Sequence, residues 1–187
     1  LLVDILDYKL DEIDYDIDLP KPVVKEHDGF RVVRDDLLNG GTKRRAFTVY
    51  VKNKPDVKEF VYASPRQGYA QLSLAYACKD LGRKCTVTVP KGEKTWLTIE
   101  SERLGANVIQ VPMGYLSNIQ HKAKVYCEEN GAHLIPFGGD HPIIIEAMCR
   151  AALSLESIKR FVHPKEVWTV MSSGVLSRGL QKAWPNA

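Results

Sequence analysis

Lys43 stands near the end of the run RVVRDDLLNGGTKRR (31–45), directly after Gly40, Gly41 and Thr42. Paired glycines let a backbone turn sharply and approach a bulky ligand closely. The pattern that follows opens a helix at Thr42-Lys43. The dipole at a helix start favours anions, so an ammonium group is disfavoured there. That placement helps keep the amine neutral and nucleophilic, the state that Schiff-base chemistry with a carbonyl requires. Arg44 and Arg45 follow directly and are expected to push Lys43 the same way by like-charge repulsion. The plain alternative is one solvated basic cluster of all three residues.

Two further loops carry residues suited to anions. In YASPRQGYAQ (62–71) the backbone donors near Gln67 and Gly68 suit a carboxylate at a helix start. Ser64 serves that loop equally well as a simple helix cap, and Tyr69 stands where it would stack near a substrate or merely pack. In VWTVMSSGVLSRGL (167–180) a strand delivers Ser172, Ser173 and Gly174 onto another helix start. Amides and hydroxyls there suit a phosphate. His141, beside Asp140 after two glycines, is either a base or a helix cap. His121 and His133 read as surface or helix-end residues, and Trp96, Trp168 and Trp184 as core.

The elements that must position these residues follow from period. Short apolar, β-branched runs occur at EFVYA (59–63), CTVTV (85–89), NVIQV (107–111), AHLIPF (132–137) and EVWTVM (166–171). Each is bounded by Gly, Pro or charge and predicts a strand. Helices are predicted between them, at about 66–81, 94–104, 115–129, 141–160 and 175–184. Strand alternating with helix gives an α/β fold with parallel strands and right-handed crossovers. Ligands of such sheets bind in the crevice beyond the carboxyl ends of the strands, where all these loops lie.

Composition narrows the class. The 187 residues are 44% hydrophobic and 26% charged, as in globular proteins. No apolar run approaches the roughly 20 residues of a membrane helix, and the start LLVDILDYKL has no signal-peptide pattern. Residues 1–20 hold seven acids against the single base Lys9, so a net charge of +3 conceals +9 on the remainder. This reads as a solvated acidic arm lying on its own protein, or as a mask over a basic surface. The bases are scattered without interleaved aromatics, which disfavours a nucleic-acid partner. Cys78, Cys85, Cys127 and Cys149 form no CxxC pair, so they read as reduced, mostly buried residues of a cytoplasmic protein, with no metal site.

Taken together and in order, these segments resemble fold-type-II pyridoxal-phosphate-dependent enzymes, the tryptophan-synthase β type. RDDLLNGGTKRR is most similar to D-cysteine desulfhydrase and 1-aminocyclopropane-1-carboxylate deaminase; cysteine synthase and threonine deaminase belong to the same group. SPRQGYAQLSLAYA resembles the family's substrate-carboxylate loop. GRKCTVTVPKG, Leu104-Gly105-Ala106 and HLIPFGGDHP follow its strand order, and SSGVLS falls where its phosphate loop belongs. The resemblance spans roughly residues 20–187. It implies a two-lobed, three-layer α/β/α fold with parallel sheets. Residues 1–20 would be the arm, 21–49 and 138–187 part of the larger cofactor lobe, and 50–137 the small lobe. It implies pyridoxal 5'-phosphate as a Schiff base on Lys43, with Gln67, Ser173, Gly174 and Ser177 also holding the cofactor. Ser64, Gln67, Gly68 and Tyr69 would bind a small amino-acid substrate in a homo-oligomer, a homodimer. The implied reaction is elimination with deamination, or β-replacement of the transferase kind.

Three departures accompany the resemblance. Gln67 stands where the family has Asn. Val175, Leu176 and Arg178 crowd a loop usually rich in Gly and Thr, and Arg178 either supplies charge to a phosphate or points into solvent. Complete members continue past this loop with further strands and a polar residue facing the pyridine nitrogen. That leaves open a fragment, a site completed by a partner, or a diverged member that binds a phosphorylated ligand or a protein. A transferase acting on a nucleotide or modified base is a further alternative.

Overall fold

The computed structural model describes residues 9–112, 114–158 and 163–187. Its first strand pair is a hairpin of β1 (Val24–His27) and β2 (Phe30–Val33), antiparallel and in register Val24 to Val33. Asp28 and Gly29 form its turn, both at positive φ (47° and 82°), as Asp-Gly two-residue hairpin turns require. Neither strand is among the apolar runs read from the sequence.

The body is α1 (Gly41–Lys52), β3 (Glu59–Ala63), α2 (Ala70–Asp80), β4 (Lys84–Pro90), α3 (Trp96–Arg103), β5 (Asn107–Val111), α4 (Leu116–Asn130) and β6 (His133–Leu134). It ends in α5 (Pro142–Leu153) and α6 (Val175–Ala183). Strands β5-β4-β3-β6 form one parallel sheet in that order. Successive side chains of a strand point to opposite faces. Phe60 and Tyr62 of β3 therefore enter a large core with α1, α2 and α5, whereas Val61 and Ala63 join Ile119, Ala123 and Cys127 of α4. Helices thus cover both faces, and β3 and β4 are buried throughout their middles, as parallel strands usually are. All four cysteines are free and buried.

Several local expectations are corrected. Only His133 and Leu134 of the predicted strand 132–137 pair, because Pro136 ends the ladder. Segment 166–171 forms no strand. It has no ladder partner among the described residues, and Trp168 (79% exposed), Val170 (93%) and Met171 (72%) stand in solvent. Trp96 is likewise not core: it is 61% exposed at the first position of α3, whose buried face is Leu97, Thr98 and Ser101. Trp184 is half-buried, with Nε1 donating to Glu156 Oε1 at 3.2 Å. His133 is a half-buried strand residue paired with the Tyr50 hydroxyl at 2.8 Å, whereas His121 is exposed on α4. Helix 66–81 begins only at Ala70. Helix 141–160 gives way after Leu153 to a 3-10 turn at Ser154–Ser157, and residues 159–160 lie outside the described ones.

The acidic arm, from residue 9, runs over the end of α1 and onto α5. Asn53 exchanges hydrogen bonds with the Asp14 backbone (2.9 and 2.8 Å), and Lys52 pairs with the Asp14 carboxylate at 2.6 Å. Arg150 of α5 lies 4.0 Å over the Tyr15 ring, and Leu10, Ile13 and Ile17 pack partly buried against the large core.

Candidate active site

Lys43 occupies the first turn of α1, half-buried, and its Nζ donates to the Gly138 carbonyl oxygen at 2.6 Å. The helix start is anchored from α2: Ser73 Oγ donates to Gly40 O at 2.6 Å in a buried bond. Burial lowers the pKa of the Lys43 amine from its ordinary value, because desolvation penalises the charged form. The expected help from the two arginines is not what acts here. Arg44 is turned to Asp80 (2.6 Å) and the Tyr76 ring, and Arg45 to Asp35 (3.1 Å) and the Pro20 carbonyl. Each guanidinium is thus neutralised locally by its own carboxylate.

Gly138 lies in the turn Phe137–Gly139 that follows β6, at φ +73°. An added Cβ there would run into the Ser173 side chain, so the close approach demands glycine. Ser173 Oγ donates to the same Gly138 oxygen at 3.3 Å. The lysine loop and the serine loop therefore meet on one atom. Gly174 caps α6 as its N-cap residue, with Ser177 half-buried in the first turn. Val175 is fully buried in the large core and Leu176 packs partly buried against it. The apolar residues that crowd the loop thus serve the core. Arg178 is exposed, and its Nη2 pairs with Asp140 Oδ1 at 2.7 Å.

The third loop approaches from α2. A Cβ on Gly41 would lie 3.2 Å from the Tyr69 ring, so Tyr69 rests on the start of α1. Tyr69 is 44% exposed and meets Trp96 edge-on at 6.1 Å. Gln67 is exposed and Gly68 half-buried. Ser64 is fully buried, its hydroxyl donating to Pro65 O (2.9 Å) and Gly68 O (3.4 Å), so it shapes the loop from inside. Two cavities flank this convergence. One of about 450 Å³ opens at the carboxyl ends of β3 and β6, between Ala63, Phe137 and the Gln120–Lys124 face of α4. The other, about 480 Å³, lies against Gly41, Thr42, Asp35 and Tyr69.

Two residues that sequence reading passed over hold this geometry. Tyr62, 2% exposed, accepts the Gly138 N–H at its hydroxyl at 3.1 Å. Gln71, fully buried, donates to Gly68 O (2.9 Å) and accepts from Thr98 Oγ1 (3.2 Å). A polar residue amid the buried face of α2 was the available signal for Gln71; Tyr62 gave none beyond strand propensity. His141 acts as a helix cap, its Nδ1 accepting from Ile143 N at 3.2 Å. Desolvation foremost brings its pKa down to about 4, which keeps it neutral.

Against known families, the model described as pyridoxal-phosphate dependent enzyme matches residues 28–186. The chain belongs to that family. Among solved structures it is similar to the threonine deaminase of T.th., at 26% identity and TM-score 0.69, covering 83% of this chain and 50% of that one. It is also similar in fold to an ACC deaminase homologue (18%, TM-score 0.70, 81% and 50% covered). A pyridoxal 5'-phosphate-dependent aspartate racemase is a further fold neighbour (18%, TM-score 0.69, 92% and 54% covered). The chain spans about half the length of these structures. No curated protein matches it. Among the described residues, no helix is long and apolar enough to cross a membrane.

The residues present fit the family's cofactor. A desolvated lysine amine and the serine that precedes the start of α6 meet on Gly138 O. At Gly174 an added Cβ would have only the Met171 sulfur within reach, at 4.0 Å, so the space before α6 is open.

Proposed function

We propose that this chain carries the lysine and phosphate-binding portion of a pyridoxal-phosphate-dependent amino-acid lyase or deaminase, with Lys43 holding the cofactor. The observation that carries this reading is the meeting of Lys43 Nζ and Ser173 Oγ on the Gly138 oxygen, which joins an amine to an anion-binding helix start. Ser173, Gly174, Ser177 and the first amides of α6 would take the phosphate, since a helix start offers unpaired N–H donors and the positive end of its dipole. Gln67 would lie against the ring oxygen, and Gln67, Gly68 and Tyr69 would line the place of the substrate carboxylate on a loop that Ser64 and Gln71 shape from within.

When bound, the cofactor supplies an electron sink that stabilises the carbanion left after a proton leaves the α-carbon. Lys43 Nζ, kept toward its neutral form by desolvation, takes that proton and holds it for return. The Gly138 carbonyl receives an N–H of Lys43 and so fixes the direction of its remaining lone pair or protons. Tyr69, resting on Gly41, narrows the mouth of the site against water.

β-Replacement would use the same residues. We further propose a homodimer, a division into a larger lobe of residues 21–49 and 138–187 with a small lobe of 50–137, and residues 1–20 as an arm. The four buried free cysteines support a reducing, cytoplasmic setting. The test is an absorbance spectrum of protein supplied with pyridoxal phosphate. A band near the visible edge that borohydride abolishes is expected in the wild type. It should be absent from Lys43→Ala at unchanged circular dichroism; a reducible band surviving in that variant would move the attachment elsewhere.

A further inference from the structure

We propose that Tyr62 is a positioning residue for Lys43, acting through Gly138 to fix where the lysine amine sits. The proposal rests on Lys43 being the reactive amine, as read above. Gly138 is held at both of its polar atoms: its N–H donates to the Tyr62 hydroxyl at 3.1 Å, and its oxygen accepts from Lys43 Nζ at 2.6 Å. Gly138 and Gly139 are consecutive glycines at φ +73° and +78°. Such a pair has little conformational preference of its own. Within the turn the Gly139 N–H, in the same peptide plane as the Gly138 carbonyl, donates to Pro136 O at 2.9 Å. From outside it, the Tyr62 hydroxyl ties the turn to the rigid middle of the sheet and so sets where that carbonyl lies. Tyr62 belongs to β3, hydrogen-bonded on both sides by β4 and β6, and is 2% exposed. Its ring also stacks on Phe137, at 6.4 Å and 7° between planes, which pins the residue before the turn.

The hydroxyl has a role that packing does not explain. A phenylalanine would fill the same core volume beside Phe47, whose ring lies 6.1 Å away. Burial pushes the Tyr62 phenol above its ordinary pKa, so it remains a neutral hydroxyl, able to accept the Gly138 N–H at any working pH. Without it, a buried N–H loses its partner and the turn loses its tie to β3, so the carbonyl shifts relative to Lys43.

The test reads the Lys43 amine directly, in protein without cofactor. Reductive methylation with formaldehyde and borohydride is followed by peptide mass, with exposed Lys79 as the internal standard. Tyr62→Phe should raise the Lys43 rate relative to Lys79 about tenfold, because losing an acceptor of the charged form favours the neutral amine by roughly that factor. Gly138→Ala, which leaves Tyr62 in the core and displaces the turn, should raise it likewise and decides the matter if Tyr62→Phe does not fold. Phe60→Leu loses packing on the same strand and should leave Lys43 as in the wild type. An unchanged Lys43 rate in the folded Tyr62 or Gly138 variant overturns the proposal, as does an equal rise in Phe60→Leu. Because no cofactor is present, failure of the absorbance test would remove the proposed function without altering this outcome.

Discussion

Lowering the pH from 7 to 4 should destabilise this protein through His141 before most carboxylates titrate. His141 is 7% exposed, caps α5 through Nδ1, and packs edge-on to the Tyr50 ring at 4.8 Å. Desolvation dominates its shift from 6.5 to about 4; Lys54 and His133 lower it further, and Asp140 alone opposes. With the folded-state pKa depressed for a base, the unfolded chain binds the extra proton between those values. Stability is therefore complete above about 6.5 and falls as pH drops toward 4, below which this group adds no further loss. At 1.36 kcal/mol per unit the loss by pH 4 is on the order of 3 kcal/mol, a large share of the ~5–15 kcal/mol of a typical domain. His133, also lowered by burial, acts in the same direction. The comparison is His141→Asn, which keeps a cap acceptor but does not titrate. Urea unfolding of both proteins at pH 7, 5.5 and 4.5 should show the wild type losing stability faster, with the two curves converging as pH falls. Parallel loss in both proteins would mean that His141 is not held neutral by its surroundings, and the reasoning would fail.

Two further outcomes follow from packing. Gly179→Ala places a Cβ 2.5 Å from Met148 Cβ and 3.2 Å from the Ile145 carbonyl, so α5 and α6 must separate. A loss of about 1–3 kcal/mol is expected in thermal unfolding, and an unchanged or raised Tm would show that the helices do not pack so closely. Gln71→Ala removes the fully buried amide that ties Gly68 to Thr98. It should cost about 2 kcal/mol in urea unfolding and speed proteolysis at residues 64–69; a loss below ~0.5 kcal/mol would make Gln71 a bystander.

The local part of this structure was written in the sequence. Strands β3, β4 and β5 coincide closely with short apolar, β-branched runs, because a parallel strand covered by helices on both faces favours such residues at most positions. The loops after them follow from the same pattern, and so did Lys43 at a helix start. The identical signal at 166–171 failed because strand propensity is a preference for a pleated, half-buried surface, and no described neighbour offers one. What Lys43 touches was equally out of reach. Gly138 is 95 residues away and Ser173 farther still, so their meeting depends on β6 lying beside β3 and on α6 packing against α5. The arginines beside Lys43 carry the same lesson: adjacency suggested repulsion, but folding supplied each with a carboxylate, Asp80 and Asp35, and left desolvation as the cause of the lysine's lowered pKa. Sequence determined which segments bring chemistry, since local period and turn residues act within a few positions. Tertiary structure alone decided which atoms meet, since distances between loops are set by the order of strands in the sheet.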